Sequence, residues 1–279
     1  MKRISFIFAL ALVWMPGRSG VLQAAAQASQ SQPAARRPIA KNHQEYDDYR
    51  LAAAASDGPA LEKAAGEFAQ KYPQSELRRY LFLKAMHQYQ SENNAAGMLS
   101  MGERVLALDP DDALALVLTA TVLADGMIAG DPDWQAKIGE IKRNTDRAIQ
   151  AAEADASAPA DAPSRQAALY KSTLRSMAYS ALGIMKLKTG DDAGAEKDLK
   201  AAVDLAKIHP DPYIWYHLAL AQDHRKRYPA ALNSVEQALQ LASANPQLQR
   251  LAETEHERLN GLARRTKDSP ESGSNQAPH

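Results

Sequence analysis

The sequence predicts an all-α chain of short helices paired into about five hairpins and closed by one further helix. Between residues 43 and 265, Val, Ile and Thr are sparse and never alternate with polar residues as a half-buried strand requires, whereas Ala, Leu, Gln, Glu, Lys and Arg dominate. Asp57-Gly58-Pro59, Asp109-Pro110, Asp131-Pro132, Asp211-Pro212 and Asn245-Pro246 each set a capping residue before a proline, which marks a helix start. Tyr179, Leu182, Gly183, Ala195, Leu199 and Ala202 recur 36 positions later as Trp215, Leu218, Ala219, Ala231, Val235 and Ala238, so the hairpins belong to a repeat.

The chain has 279 residues, of which 45% are hydrophobic and 24% charged, enough to bury a core. Its 33 basic and 33 acidic residues give no overall field to attract nucleic acid or an anionic membrane. Cysteine is absent, which excludes disulfides, thiol nucleophiles and thiolate metal sites.

Lys2 and Arg3 precede an apolar run over residues 4–15, followed by Pro16 and Gly17. This is the layout of a secretory signal peptide, and the run is too short for the about 20 residues that span a bilayer. Ala24, Ala26 and Ala28 offer two A-x-A cleavage sites, of which the second gives a signal at 1–28. The mature chain is then expected in the periplasm or outside the cell with no stable membrane anchor. Loss of Lys2, Arg3 and Arg18 leaves it a net charge of −3.

Residues 29–41 read as a disordered linker rich in Ser, Gln, Pro and Ala, and 266–279 as a disordered tail. Leu61, Phe68 and Tyr72-Pro73 fit the second helix of a first hairpin; Phe82, Tyr89, Met98, Val105 and Pro110 fit a second. A third begins at Ala113, with Leu116 and Leu123 toward the core, but its second helix starts only near Trp134, a core anchor or else an exposed binding aromatic. Residues 126–165 therefore form an irregular joint, with an Ala, Asp and Pro linker at 151–163, before a long helix over 164–188. The best repeats run over 176–209 and 212–245. Leu248, Leu251, Leu259 and Leu262 place a capping helix at 247–265.

The order aromatic, Leu-Gly, small residue, bulky apolar residue and Ala in the two best repeats resembles the tetratricopeptide-repeat (TPR) family. That resemblance implies a right-handed superhelical solenoid over 42–265. Gly183 inside a helix costs about 1 kcal/mol relative to Ala, which close approach of the paired helix would offset. Ala195 and Ala231 answer it from the second helices, and Tyr179 and Trp215 fill the space between hairpins.

In this family the first helices of successive repeats line a concave groove. The matching registers place Tyr80, Leu83 and His87 there, then Leu114, Val117 and Thr121, then Met177, Ser180, Ile184 and Leu187, and finally Tyr213, Tyr216, Leu220, Asp223 and His224. The set is apolar and aromatic. Ser180 and Ile184 stand where the carboxylate-gripping subgroup carries Lys and Asn, and the second repeat has Leu83 and His87. The resemblance thus implies a protein or apolar peptide segment as the ligand, and a scaffold in cell-envelope assembly or complex organisation. A carrier of a small apolar ligand at the joint is the alternative.

Catalytic and metal motifs fail on inspection. His256-Glu257 lacks the second histidine of a zinc-protease helix, since Asn260 stands there. Glu253 and His256 form one Glu-x-x-His where a di-iron site needs two, and His217 with His224 makes an incomplete site. No catalytic residue, metal ligand or cofactor is expected. His224-Arg225-Lys226-Arg227 reads as a solvated turn, or else as a contact to an acidic partner.

Overall fold

The computed structural model describes residues 39–153 and 164–268, and these hold eleven α-helices and no strand. The segment expected to be a signal peptide, nearly all of the expected linker and the end of the expected tail lie outside the described residues. None of the described helices is long and apolar enough to cross a membrane.

Short polar caps start most of the helices. In α1 (His43–Ala53) the Asn42 side chain accepts from Glu45 N, and in α2 (Gly58–Lys71) Asp57 accepts from Ala60 N. After α3 (Leu77–Ser91), Asn94 caps α4 (Ala95–Leu108). The expected start at Asp109-Pro110 is corrected: Asp109 closes α4, and Asp112 accepts from Ala115 N to open α5 (Ala113–Gly126). Pro110 sits in the intervening turn, because the Asp that reaches a free N–H is the one directly before the helix. Helix α6 (Trp134–Glu153) likewise begins two residues after Pro132.

The long α7 (Ser164–Thr189) is followed by α8 (Asp192–Leu205), α9 (Pro212–His224), α10 (Tyr228–Leu241), a 3-10 turn (Ala242–Ala244) and α11 (Pro246–Asp268). Asp211 and Asn245 cap α9 and α11 as expected.

Three of the helix pairs close by the same turn. Asn93, Gly190 and Lys226 all have positive φ, and the next residue donates five positions back: Asn94 to Tyr89, Asp191 to Lys186 and Arg227 to Gln222. This left-handed closure satisfies carbonyls that the helix end would leave unpaired. Each helix packs on its successor, and α1 on α3, α5 on α7, α7 on α9 and α9 on α11.

The interior follows the repeat. Ala195 and Ala231 are fully buried, and Trp215 packs against both neighbouring apolar clusters. A Cβ on Gly183 would lie 2.5 Å from Leu199 Cγ of α8. Helix α5 is apolar on every side and buried from Ala113 to Thr121, as befits a helix enclosed by α4, α6 and α7.

Candidate functional site

The odd-numbered helices carry the expected groove positions, but the structure turns many of them inward. Val117 and Thr121 on α5, Met177, Ser180 and Ile184 on α7, and Tyr213 on α9 are buried, as is Leu114. Leu114 and Val117 share one apolar cluster with Met177, and Ile184 joins Ala120, Leu123 and Ala124 in the next. The reason is the broad contact of α5 with α7, which closes the surface that these positions would line. Leu187 packs beside α8 and α9.

On α9 the face is covered by the chain itself. The Tyr213 hydroxyl accepts from Asn245 Nδ2 at 2.7 Å, and Tyr216 packs with Leu248, Ala252 and Leu259 of α11. Asp223 accepts from Arg258, which also donates to Glu255. Burial, then the nearby Glu255, raises the Tyr216 phenol above its usual range. Leu220 is partly buried, and His224 is exposed with Nδ1 2.8 Å from Asp192.

What stays accessible is the end formed by α1, α3, α5 and α7. Tyr80, Leu83 and His87 are half-buried on α3. Arg79 donates to Asp109 at 2.5 Å, to Asp112 at 2.8 Å and to the Tyr80 hydroxyl at 2.9 Å, with its guanidinium 4.8 Å from the Tyr80 ring. Tyr49 of α1 lies near enough to Tyr80 to feel it, and Tyr170 of α7 to feel Asp112 and Arg79; burial is the main cause that raises both phenols. An open cleft lined by Ser75, Arg78, Arg79, Tyr80, Leu108 and Asp109 adjoins the group.

A second polar group lies at the ends of α5 and α7, near the cap of α9. Lys188 Nζ donates to the carbonyls of Asp125 at 2.5 Å and Met127 at 3.2 Å, tying the end of α7 to the end of α5. The Asp125 Oδ1 atom is shielded from solvent and accepts no hydrogen bond. Burial, opposed by Lys188 and helped by Asp211, raises the Asp125 carboxyl to about 7, and burial raises Asp211 to about 6. His217 donates from Nδ1 to the Tyr213 carbonyl at 2.9 Å, and burial lowers it to about 4, so it is neutral at pH 7.

The basic run forms the expected exposed turn between α9 and α10, and two of its cations also reach an internal acid. Arg225 and Arg227 donate to Glu196, whose side chain is 2% exposed and which also pairs with Lys200 at 2.7 Å. Burial opposes ionisation of Glu196, yet Lys200 and Arg227 hold its carboxyl at about 2. Arg225 and Arg227 therefore serve an internal acid, while Lys226 is exposed at the left-handed position of the turn. His217 and His224 do not meet, and His256 lies 3.5 Å from Glu236. Among the described residues no group of three His, Asp or Glu side chains could hold a metal.

Tyr49, Arg79, Tyr170, Asp125 and Lys188 escape the sequence reading. They lie in degenerate repeats or at helix ends, where no motif register fixes which way a side chain faces. Neither a protein-family model nor a curated protein matches the chain.

Proposed function

We propose that this chain is an exported TPR-type scaffold that binds a partner protein or peptide on its odd-numbered helices, centred on Tyr49, Tyr80 and Tyr170. The observation that carries the reading is that α1, α3, α5 and α7 each contribute to one half-buried tyrosine and arginine group. Tyrosine and arginine give large contact area and directional donors, which suits them to protein recognition.

The solenoid reading is supported by the repeated turn at Asn93, Gly190 and Lys226 and by the packing of each helix on its successor. Export rests on Lys2, Arg3 and the apolar run that follows. At the joint, Leu99, Met127, Trp134, Ile138, Ile141 and Met185 are packed against one another, which favours protein binding over carriage of a small apolar ligand.

A photo-crosslinking residue at Leu83, compared with one at the exposed Lys197 of α8, tests the reading in a cell-envelope extract. A discrete protein adduct from position 83 alone is the expected result. Adducts from position 197 alone would move the partner to the even-numbered helices.

A further inference from the structure

We propose that Asp125, Lys188 and Asp211 form a proton-operated clasp: protonation of Asp125 tightens the packing of α5 on α7, and its ionisation loosens it. The inference holds whichever partner the chain binds.

Geometry supplies the parts. Lys188 reaches from the last turn of α7 to the terminal carbonyls of α5, 61 and 63 residues away in sequence. Its ammonium is thereby committed to main-chain oxygens, while the neighbouring Oδ1 of Asp125 is closed to water and without a hydrogen bond. Asp125 as a whole is half-buried, but ionisation puts negative charge on this oxygen with no partner to offset its desolvation. Opening the joint restores water to it, whereas protonation removes the charge and lets the joint close.

The charged groups acting on Asp125 are Lys188 from α7 and Asp211 from the cap of α9. From α4 and α6 the neighbouring core side chains are Leu99, Trp134, Ile138 and Ile141, all uncharged. Lys137 of α6 is engaged by Asp131 and Asp133. Asp211 is fixed by capping, since its Oδ1 accepts from Tyr213 N at 2.8 Å, so it cannot swing away from Asp125 without uncapping α9.

The sign follows from linkage. A carboxyl near 7 in the folded chain and about 3.9 when unfolded binds its proton more tightly when folded. Its contribution is fully present below the unfolded value and is lost as pH rises through about 7. His217 opposes this only below about pH 6.5, where an unfolded histidine takes up a proton. Asp125 therefore dominates between pH 8 and 6.5.

Thermal melts of the full chain and of Asp125→Asn at pH 8 and 6.5 read the effect, with acrylamide quenching of Trp134 fluorescence as the local reporter in a Trp14→Phe, Trp215→Phe background. Trp134 packs in the same apolar cluster as Ala124 and Met127. Acidification should raise Tm by about 2 °C and shield Trp134 when Asp125 is present. Asp125→Asn should be the more stable chain at pH 8 and respond weakly in both measurements. Asp211→Asn, which keeps a capping side chain, should reduce the response in part. Equal pH responses in the chains with Asp125 and with Asn, or a Trp134 signal indifferent to pH in both, would overturn the proposal.

Discussion

Gly183 of α7 meets Leu199 of α8 so closely that a Cβ on the glycine would lie 2.5 Å from Leu199 Cγ. Leu199 is fully buried and has no free direction in which to retreat. Gly183→Ala should therefore destabilise the chain by about 1–2 kcal/mol, overpacking outweighing the gain of about 1 kcal/mol in helix propensity. In a Leu199→Ala background the same change should become stabilising, because only propensity remains. A double-mutant cycle by urea melts checks the coupling; an additive cycle would mean that the two helices part freely at this point.

Glu196 ties α8 to the turn between α9 and α10 through Arg225 and Arg227. Its carboxyl lies below the ordinary range, so its stabilising contribution is present above the unfolded value near 4.5 and is lost as pH falls toward about 2. Glu196→Gln should cost about 2 kcal/mol at pH 7 and flatten the loss of stability between pH 4.5 and 2. The partly exposed arginines keep the figure below that of a fully buried pair. Melts across the acid range in low salt measure it.

Packing on α9 divides between the interior and the closing helix. Trp215→Ala should cost about 2–4 kcal/mol, somewhat below a fully buried aromatic because Trp215 is half-buried, and Ala231→Leu about 1–3 kcal/mol through overpacking. Tyr216→Ala should also destabilise, by about 2 kcal/mol, because Tyr216 seats α11 through Ala252 and Leu259. A Tyr216→Ala chain with unchanged stability would show that α11 does not depend on this contact.

The helical class, the helix at the C-terminal end of the described residues, the buried Ala195 and Ala231 and the half-buried Trp215 packed beside them were legible in the sequence. Small residues at fixed spacing leave few ways to pack. The inward turn of Val117, Thr121, Met177, Ser180 and Ile184 was not legible, because α5 is apolar around its whole circumference and its composition marks no outer face. The fate of Arg225 and Arg227 was hidden for another reason. Their acid, Glu196, lies about 30 residues upstream on a helix whose facing side depends on tertiary packing. Asn93 and Lys226 adopt the turn that Gly190 announces, but as non-glycine residues they carry no comparable signal.

Tyr80 offers the sharpest separation of binding from folding. It is half-buried in the first turn of α3, with its hydroxyl on Arg79 and its ring beside the same guanidinium. Arg79 keeps Asp109 and Asp112 when Tyr80 is truncated, so the tie between α3 and the start of α5 survives. Tyr80→Ala should then leave circular dichroism unchanged and lower stability by no more than about 1 kcal/mol. Partner affinity should fall by about 1–3 kcal/mol, the range of a tyrosine at the centre of an interface. Tyr80→Phe separates the two contributions: it keeps the ring and removes the hydroxyl that accepts from Arg79. Affinity retained by Phe and lost by Ala would assign recognition to the aromatic surface, and loss by both would assign it to the hydroxyl and the orientation it gives Arg79. Full affinity in both variants would remove Tyr80 from the interface.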